Sequence, residues 1–127
     1  MAGKNIYKGY LLTELMVAMA VLVIILSCMA MMLKVFRDVN QYQLTRQQCI
    51  AAAQAQLDCI AVTGRPIIEE DLKRLWPEVN IITEQSDGKN QWQGLALVKV
   101  KATAKAGRKN VTVELARYIT SQGVDRQ

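Results

Sequence analysis

The chain has 127 residues, enough for one domain with a small core once a long apolar segment is set apart. Its 16 lysines and arginines exceed its 11 acidic residues, which gives a net charge of +5. There is no histidine, so the commonest general base and metal ligand is missing, along with the histidine-dependent nucleophilic triads. We therefore expect a protein that is not an enzyme and that needs no cofactor or metal.

Residues 10–33 form a continuous apolar run, YLLTELMVAMAVLVIILSCMAMML, in which the one charged residue is Glu14. As a helix this run would be ~36 Å long, sufficient to cross a hydrocarbon core of ~30 Å. It is longer than the apolar part of a secretory signal peptide, which has roughly 7 to 15 residues. Because Lys4 and Lys8 precede the run, the positive-inside rule predicts a cytoplasmic N-terminus and a single pass across the membrane.

Glu14 has two interpretations. A carboxylate deep in a membrane helix costs roughly 2.5–3.5 kcal/mol, so it needs a partner or a position near the interface. It can be an interfacial group at the positive end of the helix dipole, which stabilises it by about 0.3–1 kcal/mol. It can also have a specific role, and its neighbours favour that interpretation.

Residues 8–18, KGYLLTELMVA, resemble the class III signal of type IV pilins and type II secretion pseudopilins. That signal has a basic leader ending in glycine, an aromatic residue, a short apolar stretch and a glutamate at the fifth mature position. The resemblance implies that residues 1–9 are a leader, removed after Gly9 by a prepilin peptidase, and that the new amine of Tyr10 is methylated. A residue without Cβ lets the backbone enter such a site closely, whereas Gly9 taken alone would be a flexible joint.

The family resemblance covers roughly residues 8–35 and implies a role for Glu14 in assembly. When apolar helices pack into a filament, its carboxylate would neutralise the ammonium of Tyr10 in the same or an adjacent subunit and so set the register. Leaving one partner of such a pair alone would cost about 3–5 kcal/mol. Tyr10 replaces the more usual Phe but keeps an aromatic ring at this position. Met31 stands where major pilins often have a kinking proline. Because that proline is missing, we expect the unbroken helix of a minor subunit.

After the apolar run, residues 34–62 are predicted to continue the helix in amphipathic form. The apolar stripe consists of Val35, Val39, Tyr42, Cys49, Ala53, Leu57 and Ile60. The polar residues on the other faces are Asn40, Gln41, Gln43, Gln47, Gln48, Gln54 and Gln56. Gly64 and Pro66 end the helix. We expect the stripe to pack on a sheet rather than on a coiled-coil partner.

A short second helix is predicted at residues 66–76, because Ile68, Leu72, Leu75 and Trp76 share one face. The acidic residues 69–71 fall in its first turn, where they complement the helix dipole. Calcium binding is the other interpretation, but three consecutive helical residues point in different directions.

The remaining chain alternates as strands do, at residues 79–84, 94–104 and 111–119, with turn-like segments between them. An antiparallel meander follows. In the middle strand, one side is apolar and would cover the helix: Ala96, Val98, Val100, Ala102 and Ala104. We therefore predict an α+β, pilin-like fold, in which residues 63–127 form a small α/β head with an antiparallel sheet.

The three cysteines are predicted to be small buried packing residues rather than disulfide partners. Cys49 and Cys59 are separated by ~15 Å of helical rise, whereas a disulfide needs Cα atoms within about 7 Å. Cys28 lies within the apolar run.

A stretch between Asp87 and Glu114 holds basic residues without an acid: Lys89, Lys99, Lys101, Lys105, Arg108 and Lys109. It can be a DNA-capturing surface, with Trp92 as a nearby stacking group, or a solvated strand face and hairpin tip. We prefer the solvated face and do not expect nucleic acid as a partner.

Together these features predict a minor pseudopilin of a type II secretion system, similar to the I type, which helps to start the pseudopilus for protein export. Its partners would be the prepilin peptidase, the other major and minor pseudopilins and the assembly platform of the bacterial inner membrane. The C-terminal head would be periplasmic. The alternatives are a minor pilin of a type IV pilus or DNA-uptake filament, and a single-pass protein whose sheet binds a soluble partner without any filament.

Overall fold

The structure, a computed structural model, describes residues 9–120 in full and the helical backbone of residues 3–8. The side chains of residues 1–8 of the predicted leader, those of Lys4 and Lys8 among them, therefore lie outside the description. The chain divides into two compact units, Met1–Val39 and Asn40–Gln127.

Helix α1 comprises Gly3–Thr63. From Tyr10 to Thr63 the sequence contains neither glycine nor proline, so no residue interrupts the backbone hydrogen bonds of the helix. The prediction of a helix unbroken at Met31 is confirmed.

The end of α1 is formed by a left-handed glycine. Gly64 has φ 72°, and its N–H donates to the carbonyl oxygen of Ile60 at 2.9 Å. The hydroxyl of Thr63 also donates to the carbonyl oxygen of Cys59 at 2.6 Å, an additional hydrogen bond in the last turn. The predicted end near Val62 is confirmed to within one residue.

Three strands form one antiparallel sheet in the order β1-β2-β3, as predicted. They are β1 (Val79–Asp87), β2 (Leu95–Ala106) and β3 (Lys109–Thr120). Each is longer than predicted, because residues assigned to turns find pairing partners: Asp87 pairs with Ala96, and Lys109 with Ala106. The turn between β2 and β3 shrinks to two residues, with Gly107 at φ 60° as the first central residue of a type II′ turn requires.

The core of the second unit lies between the sheet and the C-terminal part of α1. The apolar side of β2 is buried as predicted, and Val98 and Val100 are almost fully enclosed. From α1 the buried apolar residues are Cys49, Ala52, Ala53, Leu57 and Ile60. Because alanines line both surfaces, the helix and the strand can approach closely.

The predicted apolar stripe is wrong before Cys49. Val35, Val39 and Tyr42 are exposed. Among the described side chains of α1, the first buried one is that of Cys49. The placement of Gln56 on a polar face is also wrong, because its side chain is only 2 % exposed. Its amide is buried because it is hydrogen-bonded at both ends: Nε2 donates to the hydroxyl of Thr83 at 3.4 Å, and Oε1 accepts the N–H of Ile67 at 3.2 Å.

Helix α2 spans Glu69–Leu75, shorter than the predicted 66–76. Ile68 has an extended backbone, and both it and Leu75 are exposed, so the predicted shared apolar face is wrong for these two residues. Trp76, just after the helix, packs against the core. The acidic first turn is present, and Lys73 forms an exposed ion pair with Glu69 at 3.2 Å.

The cysteines are all free, as predicted for Cys49 and Cys59, but they differ in burial. Cys49 is fully buried in the core, and this burial raises the pKa of its thiol. Cys59 is half-buried, with Sγ 3.6 Å from the hydroxyl of Thr63. Cys28 is exposed in the isolated chain, so the prediction that it is a buried packing residue is wrong there.

Candidate functional site

The candidate site is the start of the apolar part of α1, where Gly9, Tyr10, Thr13 and Glu14 fall within two helical turns. Tyr10 and Glu14 are four residues apart, so their side chains are neighbours on the same helix face. Both are exposed. A carboxylate is thus placed one turn beyond the backbone nitrogen of Tyr10, on a surface that another molecule can reach.

Gly9 has no structural requirement in the described part of the chain. It is not among the glycines with positive φ, and a Cβ built at this position has nothing within 4 Å apart from the local helix. Glycine in a helix interior destabilises it by about 0.8–1.0 kcal/mol relative to alanine. The fold therefore gains nothing from glycine at this position.

Thr13 was not singled out from the sequence, yet it contacts the same peptide group. Its hydroxyl donates to the carbonyl oxygen of Gly9 at 2.8 Å. Threonine in a helix commonly bonds the carbonyl four residues back, so this contact could have been predicted from spacing alone. Ser27 and Thr45 make the equivalent bonds, to the carbonyls of Val23 and Gln41.

Glu14 has no ion-pair partner among the residues that the structure describes. It is also the single charged residue between Tyr10 and Leu33. A lone carboxylate on an apolar surface gains most from a cation brought by a second molecule once water or headgroups are excluded.

The apolar surface around Glu14 is bare. Leu11 is 64 % exposed and Ile24 is 62 % exposed, and every other side chain from residue 10 to residue 33 is exposed as well. The helix is long and apolar enough to cross a membrane, and none of that stretch is buried within the chain. An apolar surface of this extent is stable only when lipid or other protein covers it.

Three lysines of the basic stretch, Lys99, Lys101 and Lys105, lie on the outer face of the sheet, where the strand register places acids opposite the first two. Glu84 of β1 is directly opposite Lys99, and Glu114 of β3 is directly opposite Lys101. Opposite charges in such positions attract each other. This arrangement favours the solvated-face interpretation, because the positive potential of these two lysines is locally offset.

Trp92 lies in a short 3-10 helix, η1 (Asn90–Trp92), and stacks on Tyr118 of β3. Their ring centroids are 4.9 Å apart and the planes are inclined by 13°. Trp92 can be recognised in the sequence as a stacking group, whereas Tyr118 cannot, because the strand register that brings the two rings together is not visible in the sequence. Each ring remains about half exposed.

The acidic residues 69–71 do not form a metal-binding group with other side chains that the structure describes. Within residues 9–120 no group of three or more cysteines or acidic side chains is arranged to hold a metal ion. Glu69 instead pairs with Lys73 on its own helix.

Comparisons with family models, with curated proteins and with solved structures find no match. The fold class, α+β, rests on the long helix and the three-stranded antiparallel sheet. The roles of the candidate site residues are inferred from their chemistry and position.

Proposed function

We propose that the chain is a minor pseudopilin, a non-enzymatic subunit that assembles through α1 into a type II secretion pseudopilus. The observation that carries this proposal is the combination at the start of α1: a glycine that the fold does not require, followed by a bare apolar helix with one acid at the fifth position after it. Each feature makes sense if a peptidase cuts after Gly9 and the helix then exchanges lipid for other subunits.

In this proposal the chain first spans the bacterial inner membrane, with its N-terminus in the cytoplasm and residues 63–127 in the periplasm. Cleavage after Gly9 converts the nitrogen of Tyr10 from an amide into an amine, which carries a positive charge before and after methylation. The carboxylate of Glu14 is one helical turn from that nitrogen along the same chain, and a neighbouring helix can present its own amine to it. An ammonium–carboxylate pair shielded from water strongly favours one register between helices.

The other proteins in this scheme are the prepilin peptidase, the major and minor pseudopilins, and the assembly platform in the inner membrane. Support for an assembly role comes from the apolar surface of α1 at residues 10–33, where every side chain is exposed.

N-terminal analysis of the mature protein tests the proposal. In cells that contain a prepilin peptidase, mass spectrometry should find a chain that starts at methylated Tyr10. Gly9→Val should abolish cleavage, whereas Ala18→Val, the matched β-branched substitution further along the helix, should leave it intact. A mature protein that retains residues 1–9 would refute the proposal.

A minor pilin of a DNA-uptake filament is the second candidate, and the exposed Trp92–Tyr118 stack favours it. Lys105, Arg108 and Lys109, near the β2–β3 turn, have no acid opposite them in the register. Salt-sensitive binding of DNA, lost in Trp92→Ala, would favour this candidate over the secretion pseudopilin.

A further inference from the structure

Two features of opposite effect meet at the peptide bond between Gly9 and Tyr10. Gly9 weakens the helix at this point, since glycine is a poor helix former. Thr13 adds a hydrogen bond at the same point that must break before the Gly9 carbonyl is released, because its hydroxyl donates to the Gly9 carbonyl oxygen at 2.8 Å. The helical pattern directs the backbone N–H of Thr13 to that same oxygen, so two donors converge on one acceptor.

We propose that Thr13 sets the rate at which the Gly9–Tyr10 bond is cleaved, by holding the Gly9 carbonyl in its helical position; this inference rests on the proposed function. In the hydrolysis, a water molecule adds to the carbonyl carbon of Gly9 and the C–N bond to Tyr10 breaks. Gly9 leaves as a carboxylate and Tyr10 as an amine that takes up a proton. No reactant other than water is consumed.

The physical basis is local opening of the helix. A carbonyl oxygen that already accepts two hydrogen bonds is not free to accept the groups that polarise it for attack. Cleavage of a structured segment proceeds through its transiently opened state, and the rate follows the population of that state when opening is fast. Thr13 is therefore a positioning residue that lowers this population, while Gly9 raises it.

The size of the effect follows from one hydrogen bond. Removing the hydroxyl should increase the opened population, and with it kcat/KM for cleavage, by about 2- to 10-fold. Thr13→Val is the suitable change, because valine keeps the branched shape and a similar helix propensity while losing the donor. Thr13→Ser keeps the donor and should retain a rate close to that of the wild type.

Ser27 supplies a matched control within the same helix. Its hydroxyl donates to the carbonyl of Val23 at 2.8 Å, the same geometry at a site remote from the cleavage point. Ser27→Ala should therefore leave the cleavage rate unchanged. A general loosening of the helix would affect both positions alike, whereas the proposed effect is confined to Thr13.

The experiment uses the full-length chain in membranes or detergent micelles with a purified prepilin peptidase, and follows formation of the shortened product over time. We expect faster cleavage for Thr13→Val alone. Equal or slower cleavage of Thr13→Val, with the wild type still cut after Gly9, would overturn this inference and leave the proposed function standing. Failure of every variant to be cut after Gly9 would overturn both.

Amide hydrogen exchange separates opening of the helix from direct contact with the peptidase. Without peptidase, exchange at residue 13 should be faster in Thr13→Val by the same factor as cleavage, and unchanged in Thr13→Ser. If cleavage accelerates while exchange does not, the hydroxyl acts through the peptidase and the inference is wrong.

Discussion

The guanidinium of Arg117 donates a hydrogen bond to the carboxylate of Asp58 at 3.0 Å, which links β3, one of the two edge strands, to helix α1. The two residues are 59 positions apart in the sequence, and both side chains are more than half exposed. Exposed pairs contribute little to stability because water and salt screen them.

Breaking this pair should therefore have a small effect. We expect Asp58→Asn or Arg117→Met to lower the free energy of unfolding by about 0.2–1 kcal/mol, and less at high salt. A double-mutant cycle measured by urea unfolding in micelles gives the coupling. The control is the pair Lys73–Glu69, which is also exposed but lies within α2, where no residue is buried. A coupling above about 2 kcal/mol would show that exposed-pair behaviour does not apply here.

Replacing Gln56 by leucine should lower the free energy of unfolding far more than the same change at the exposed Gln54. Gln56→Leu leaves the N–H of Ile67 and the hydroxyl of Thr83 without their partner, so we expect a loss of about 1–3 kcal/mol in the free energy of unfolding. Gln54→Leu, the same change at an exposed position of the helix, should alter it by no more than about 0.5 kcal/mol. Similar effects of the two substitutions would mean that the amide of Gln56 does not hold these segments.

The buried thiol of Cys49 should make stability decline at alkaline pH. Its pKa is raised in the folded state by burial, so above about pH 8.5, where an unfolded thiol loses its proton, the folded state retains more protons than the unfolded state. Stability from this group is complete below that pH and is lost as pH rises towards the folded pKa. Its share of the slope reaches at most about 1.4 kcal/mol per pH unit.

Urea unfolding at about pH 7.5 and about pH 10 would measure this decline. Cys49→Ala should show a smaller decline than the wild type, because the buried thiol is then absent. An unchanged decline in Cys49→Ala would assign the pH dependence to other groups.

Glu14 should matter for assembly and not for folding or cleavage. If the chain is a pseudopilin as proposed, Glu14→Ala should insert into the membrane and lose its leader, yet fail to crosslink with partner subunits, because the ammonium that cleavage creates at Tyr10 then lacks its carboxylate. The loss corresponds to about 3–5 kcal/mol if the pair is buried. Glu84→Ala, which removes an exposed acid from the sheet, is the control. Normal crosslinking of Glu14→Ala would remove the role assigned to this residue.

The sequence predicted those parts of the fold that depend on local patterns. Alternation along β2 identified which side covers the helix, and Gly64 with Pro66 marked the end of α1. Contacts between distant residues could not be predicted in this way. Glutamine is usually exposed, so the burial of Gln56 was not expected. Only the fold shows that the hydroxyl of Thr83 and the backbone N–H of Ile67 form hydrogen bonds with its amide group. Likewise, the acids that offset Lys99 and Lys101 come from other strands.

The candidate site could be selected from neighbouring residues in the sequence. Gly9, Tyr10 and Glu14 were selected because residues 8–18 resemble a prepilin leader signal, and the bond of Thr13 to Gly9 follows from four-residue spacing. What the sequence could not show is that a side chain at Gly9 would have free space, since that depends on the surroundings of the residue.

The stack of Trp92 on Tyr118 also gives this protein a built-in optical probe. Of its two tryptophans, Trp76 packs against the core and Trp92 is half exposed beside a tyrosine ring, so their fluorescence arises from different environments. In a Trp76→Phe background the remaining emission reports on one edge of the sheet alone. Binding of any molecule at that edge becomes visible without an added label.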